Sequence, residues 1–161
     1  MLTVQVTKRA DGGSVLRCVR ADGSFTWQKQ DRHAAFFALH DLTHFAVEST
    51  LGFENSFFGL IAKGWDIEDT TGKGTRGRLP VEAIEVEHIV GLLDSERASG
   101  AIVTAEEFNR FAAAQAGGLP GGVPRSLSEE ELQGVRSRCS ELFWQWRELP
   151  AGSTLELRWG S

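Results

Sequence analysis

Apolar and polar residues alternate near both ends of the chain, and this alternation predicts β-strands. Residues 2–6 alternate as expected for a strand with one buried face. Two further strand-like segments, 14–20 and 25–29, are set off by turns that contain Asp and Gly. The alternation returns at 155–159, and we expect this last strand to join the N-terminal meander, because a three-stranded sheet would leave an exposed edge.

The middle of the chain has apolar residues at three- and four-residue steps, which predicts helices. Asp31 is a candidate cap for the first of them. Thr104 with Glu107 forms a capping box, and so does Ser128 with Glu131. The predicted helices cover residues 31–50, 55–63, 80–98, 104–116 and a segment beginning at 128. The expected fold is therefore α+β, a small antiparallel sheet packed with about five helices.

Length, charge and cysteine content limit the classes of protein to which this chain can belong. A chain of 161 residues fits one α+β domain, 1–161. Its net charge of −5 repels phosphate groups, so nucleic acid and anionic membranes are poor candidate partners. Cys18 and Cys139 lie far apart and form no disulfide framework, which indicates a reducing compartment. With no apolar run long enough to span a membrane, we expect a cytoplasmic protein.

Three of the four histidines fall on one face of the first predicted helix. At about 100° per residue, five polar side chains lie within an arc of roughly 100°. These five residues are His33, His40, Asp41, His44 and Glu48. Because His40 and His44 are one helical turn apart, their imidazoles can bind the same cation.

This polar face is expected to be covered by other parts of the protein. Residues 33–62 contain no Lys, Arg or Gln, which are the usual side chains of a solvated helix face. Covered imidazoles and carboxylates need partners, because an unpaired buried charge is costly. Two interpretations remain open: a metal or catalytic site, and a structural network of hydrogen bonds.

The predicted helix at 80–98 offers further ligands. Glu85 and His88 fall inside its apolar stripe, and an inward Glu-x-x-His is similar to the ligand pair of di-iron carboxylate proteins. The alternative is an internal ion pair between these two side chains. If a divalent ion binds, we expect His40 and His44 to hold it, with His88 and either Glu48 or Glu85 completing its shell. Mixed imidazole and carboxylate ligands suit zinc, iron or manganese.

The run His40-Asp41-x-x-His44 resembles the H-E-x-x-H helix of zinc metalloproteases. This resemblance implies that His40 and His44 are zinc ligands and that Asp41 is a catalytic base or a residue that orients a ligand. The longer run from Leu39 to His44 also resembles the His-Asp doublet of HD-domain phosphohydrolases. Both resemblances imply metal-dependent hydrolysis.

A polar loop at 66–79 carries three basic residues, Lys73, Arg76 and Arg78, just before the predicted helix at Pro80. The loop contains a G-x-G-x-x-G run, but it lies outside any βαβ unit, so a dinucleotide site is not expected. One interpretation is a mobile loop without a binding role. The other is a basic lid that binds an anionic group and draws a small anionic molecule toward the metal.

Two hypotheses for function follow from these observations. The first is a metal-dependent enzyme, possibly a hydrolase, with its site between the helices at 31–50 and 80–98. The second is a non-catalytic binding or regulatory module whose histidine face is structural or contacts a partner, which includes another copy of the chain in a homo-oligomer. The apolar segment 53–65 is the candidate contact surface in the second hypothesis.

Overall fold

The computed structural model describes residues 1–117 and 124–160, and within these ranges it confirms the α+β fold. The strands are β1 (Leu2–Lys8), β2 (Ser14–Arg20), β3 (Phe25–Gln30) and β4 (Thr154–Trp159). The helices are α1 (Ala34–Leu51), α2 (Phe57–Ala62), α3 (Val81–Ser99), α4 (Ala105–Ala116) and α5 (Glu129–Glu148), with a 3₁₀ turn at Glu68–Thr71. The turn expected at 117–125 lies largely outside the described residues.

The four strands form one antiparallel sheet in the order β3-β2-β1-β4. Val4 of β1 is paired with Cys18 of β2 on one side and with Leu157 of β4 on the other. The C-terminal strand therefore joins the meander, as the sequence predicts. Alternate side chains of β1 and β2 are fully buried and give the sheet one apolar face.

Helix α1 lies at the centre of the molecule. It contacts α5, α3, α2 and β2, and every side chain from residue 41 to residue 48 is buried. The polar face predicted from the sequence is covered at Asp41, His44 and Glu48. The polar groups between residues 41 and 48 therefore have to find partners inside the protein.

The start of α1 differs from the prediction. The helix begins at Ala34, and His33 occupies the position before it with a left-handed backbone (φ 57°) and no side-chain cap. Asp31, the expected cap, instead forms ion pairs with Arg9 at 2.9 Å and with Lys29 at 3.4 Å. The Asp31 carboxylate therefore links the sheet to the segment before α1 instead of capping the helix.

Both predicted capping boxes are present. The Thr104 hydroxyl accepts from the amide of Glu107 at 3.2 Å, and the Ser128 hydroxyl accepts from the amide of Glu131 at 3.0 Å. Each cap satisfies amides that a helix leaves unpaired, and such caps are worth about 1 kcal/mol. They fix the starts of α4 and α5.

Apolar side chains from the sheet and from all five helices form one buried cluster. Cys18 and Cys139 are free thiols within it, and burial raises the pKa of both to about 12. A buried thiol with a raised pKa is a poor nucleophile, which is typical of a packed structural cysteine. None of the helices in the described parts of the chain has both the length and the apolar character needed to cross a membrane.

Candidate metal centre

Two histidines of α1 and one glutamate of α3 come together at the surface of the helical layer. One ligand atom each from His40, His44 and Glu87 lies within 4.8 Å of the other two. Tetrahedral zinc with bonds of about 2.1 Å separates its ligands by roughly 3.4 Å. The three residues, called the metal cluster below, therefore need only a small closing movement to hold one ion.

His44 is the most enclosed member of the cluster, with 2% of its side chain exposed. Its Nδ1 lies 3.2 Å from Oε2 of Glu48, and its Nε2 lies 3.1 Å from Oε1 of Glu87. Burial acts to lower the pKa of His44, but the hydrogen bonds and charges of these two carboxylates raise it to about 10. The raised pKa favours the protonated ring, whose Nε2–H can donate to Glu87.

Glu48 holds His44 and also fixes α2. Its Oε1 accepts hydrogen bonds from the amides of Phe58 at 2.9 Å and Gly59 at 3.3 Å. Residue 59 has to be glycine, since a Cβ there would lie 2.1 Å from the carbonyl oxygen of Glu54. Burial raises the pKa of Glu48, and the bond to His44 opposes that rise. Each of its carboxylate oxygens thus has a structural partner, and Glu48 is not among the residues whose ligand atoms converge in the described chain.

His40 is held in the same way by a different carboxylate. Its Nδ1 lies 2.7 Å from Oδ2 of Asp94 in α3, and Arg97 pairs with the other oxygen of Asp94 at 2.9 Å. Burial acts to raise the pKa of Asp94, but the bond and charge of His40 lower it overall. Both histidines therefore use Nδ1 for a carboxylate and keep Nε2 for a ligand, which is the usual arrangement of metal-binding histidines.

Asp41 lies beside the cluster and is fixed by the sheet. Its Oδ2 accepts from Nε2 of Gln30 at 2.7 Å, and Oε1 of Gln30 accepts from the hydroxyl of Ser14 at 2.7 Å. Burial raises the pKa of Asp41 to about 6, although the Gln30 bond and the nearby histidines act to lower it. A carboxyl group with that pKa can accept and release a proton near neutral pH.

A cavity of about 430 Å³ opens next to these groups. Its volume is within the range of small-molecule pockets, about 300–1,000 Å³. All three residues of the metal cluster line it, and so does Asp41. Phe37 and Phe57 line an apolar part of the cavity, and Gln28 and Thr70 line a polar part. The candidate ligands therefore face a space that a second molecule can enter.

The other predicted ligands of α3 lie outside the cluster. Oε1 of Glu85 accepts from the amide of Arg125 at 3.4 Å, so this carboxylate faces the segment before α5. His88 is half-buried and is not part of the group of converging ligand atoms found in the described residues. His33 is exposed at the start of α1. Of the four histidines, two therefore form the centre.

The predicted anion-binding residues are exposed and do not line the cavity within the described chain. Arg76 donates to the carbonyl of Gly64 at 3.0 Å and stacks over Trp65, with its guanidinium 5.6 Å from the ring centre. Anion binding by Lys73, Arg76 and Arg78 stays a prediction.

Sequence reasoning missed Glu87 and Asp94. Both fall on the side of α3 away from its apolar stripe, and such a side is normally solvated. The available signal was their spacing of seven residues, which places them on one face of the helix. That face meets α1, where Asp94 pairs with His40 and Glu87 pairs with His44.

Comparisons with known proteins give no relative for this fold or site. No protein-family model matches the chain, no curated protein matches it, and no solved structure matches it.

Replacing Asp94 by asparagine should weaken metal binding while the fold stays intact. The carboxylate that sets the orientation and basicity of His40 is lost, and such changes typically cost about 10- to 100-fold in metal affinity. Zinc titration by calorimetry measures this effect. Glu82→Gln is the matched control, since Glu82 is on the same helix and bonds the backbone of Glu54 instead. Equal zinc affinities of folded Asp94→Asn and wild-type protein would contradict the assigned role.

Metal affinity should rise with pH between about 6.5 and 8.5. His44 holds its proton up to a pKa of about 10, so metal binding has to displace that proton throughout this range. Loss of one proton gives an increase of about tenfold in affinity per pH unit. Zinc titrations in buffers with different ionisation enthalpies measure the number of protons released. A zinc affinity that does not change over this pH range would show that His44 is not a ligand.

Proposed function

We propose that this protein binds a divalent transition-metal ion through His40, His44 and Glu87 and uses it to hydrolyse a substrate. The observation that carries the proposal is the convergence of these three ligand atoms within 4.8 Å at the wall of a cavity. Carboxylates at both Nδ1 atoms support it, because they leave the two Nε2 atoms available to a metal.

The donor set favours a catalytic centre over a purely structural one. Structural zinc sites have four protein ligands, whereas catalytic sites have three and leave a position for water or substrate. Two imidazoles and one carboxylate are a ligand set that zinc uses in hydrolases, and iron and manganese also accept it. The fourth position faces the cavity in this proposal, which gives a substrate access to the ion.

Asp41 is the candidate general base. It lines the same cavity as the cluster, and its pKa of about 6 lets the carboxylate accept a proton near neutral pH. Gln30 holds one carboxylate oxygen, which fixes the direction of the other. In the proposed reaction Asp41 accepts a proton from the water molecule that attacks the substrate, and an ion held by His40, His44 and Glu87 would polarise the bond that is cleaved.

Zinc titration of point variants tests the metal site. Wild-type protein should bind one equivalent, and His40→Ala and Glu87→Gln should each lower the zinc affinity by more than about tenfold, because each loses one of three ligands. His88→Ala is the matched control and should leave zinc affinity unchanged. Less than about a tenth of an equivalent bound to wild-type protein would reject the metal site.

Hydrolysis is tested on the same protein with p-nitrophenyl acetate as the probe. Zinc-loaded wild-type protein should exceed the rate of zinc alone, and Asp41→Asn should lower that rate by about a hundredfold with zinc affinity unchanged. If protein that binds one equivalent of zinc hydrolyses the probe no faster than free zinc does, the hydrolytic function is rejected and only metal binding is retained.

A further inference from the structure

Strand β3 forms an open edge of the sheet. The amide of Arg20 donates to the carbonyl of Ser24 at 2.8 Å, which identifies this pair as a hydrogen-bonded one. Bonded and non-bonded pairs alternate along an antiparallel ladder, so every second residue of β3 bonds β2 and the others direct their backbone groups outward. The outward residues are Phe25, Trp27 and Lys29. Within residues 1–117 and 124–160 these backbone groups have no hydrogen-bond partner.

This edge lacks most of the usual protection. Edge strands are normally short, strongly charged, interrupted by proline or covered by another segment. In β3, Phe25 and Trp27 are 50% and 57% exposed, and Lys29 is the single charged residue of the strand. Large exposed aromatic side chains beside open backbone groups are typical of a surface that accepts another strand.

Two cavities run along β3. One of about 480 Å³ lies beside residues 25–28, and the cavity of the metal cluster, about 430 Å³, lies beside residues 28–31. They share the lining residues Gln28, Ile67 and Thr71, so they lie side by side along the strand, and together they are called the β3 groove below. The amide of Ile67 donates to the hydroxyl of Thr26 at 3.1 Å and anchors the wall of the groove. The groove therefore leads along the strand to the metal cluster.

We propose that the β3 groove binds an extended polypeptide segment, which adds to β3 as a fifth strand and places one of its peptide bonds at the metal cluster. The six residues of β3 span about 20 Å, enough for main-chain hydrogen bonds to several residues of a peptide. The assignment of a polypeptide as the substrate rests on the hydrolytic function proposed above. Strand addition itself does not require the metal.

The reaction is hydrolysis of a peptide bond. The hydroxyl of a water molecule joins the carbonyl carbon, the bond from that carbon to nitrogen breaks, and the proton held by Asp41 passes to the leaving amine. Water is the only co-reactant, and no electron transfer takes place.

The two parts of the groove differ in charge, since Lys29 and Arg32 are among the residues that line the part beside residues 28–31. The part beside residues 25–28 is lined by two carboxylates, Asp66 and Glu68, and by no Lys or Arg among the described residues. Asp66 is paired with Arg20 at 2.9 Å, while the carboxylate of Glu68 has no partner in the described chain. A basic side chain of the peptide is therefore favoured next to Glu68.

One extended chain fits this geometry better than a second folded copy. Residues of the segment 66–71 line the groove together with β3, so the strand borders a confined space there rather than a flat open edge. A single strand needs only the width of one sheet spacing, about 4.8 Å. The competing occupant of this edge is β3 of a second copy of the chain.

An array of random nonapeptides, acetylated and amidated at their ends, tests the proposal. The fluorescently labelled full chain is applied to the array, and the dissociation constants of retained peptides are measured by fluorescence anisotropy with metal-free and zinc-loaded protein. We expect retained peptides with alternating apolar residues and one Lys or Arg. Trp27→Pro should weaken their binding at least about tenfold, because it removes an outward N–H without breaking the β2–β3 ladder.

Two variants control for trivial effects of Trp27→Pro. Glu156→Pro places the same residue at an outward position of β4, the opposite edge, and should leave peptide binding unchanged. Trp27→Thr keeps the backbone donor and should weaken binding less than proline does. Thermal unfolding followed by circular dichroism checks that each variant folds.

Four outcomes would overturn the inference. The first is that the array retains no peptide, and the second is that Trp27→Pro and Glu156→Pro weaken peptide binding equally. The third is that wild-type protein is a dimer that Trp27→Pro converts to a monomer. The fourth is that zinc-loaded protein binds peptides without cleaving them. The dimer would show that a second copy occupies the groove. Peptide binding by protein that takes up no zinc would support the groove and reject the metal function, so the two failures are distinguishable.

Discussion

The burial of Glu48 is the constraint on which the site depends. A carboxylate that is 1% exposed is tolerated only when its oxygens are satisfied, since an unpaired buried charge costs several kcal/mol. One oxygen of Glu48 accepts hydrogen bonds from two backbone amides at the start of α2, and the other lies next to Nδ1 of His44. The same residue thus attaches α2 to α1 and turns Nε2 of His44 toward Glu87. The packing of the helices and the geometry of the cluster therefore have one cause.

The surrounding polar groups extend this arrangement to the sheet and to α3. Asp94 fixes the ring of His40, and Gln30 at the end of the edge strand fixes Asp41. The cavity therefore has an α-helical side that holds the proposed ligands and a β-strand side that is open to another chain. Preorganised ligands next to an accessible edge are what a centre acting on large, extended molecules would need.

Local patterns predicted the elements well, because alternation, turn residues and capping boxes act within a few residues. The covered face of α1 was also predictable from the missing Lys, Arg and Gln side chains. The third member of the cluster, Glu87, could not be predicted in this way. Glu85 and His88 share the apolar stripe of α3, yet it is Glu87 and Asp94 that pair with the histidines of α1. Which face of one helix meets another depends on tertiary packing, which periodicity alone does not reveal.

X-ray diffraction from zinc-soaked crystals, measured at the zinc absorption edge, tests the metal centre most directly. The account predicts a single strong anomalous peak about 2.0–2.2 Å from Nε2 of His40, Nε2 of His44 and a carboxylate oxygen of Glu87. An anomalous peak bound only by His33 or His88, with Nε2 of His44 still at hydrogen-bond distance from Glu87, would contradict it.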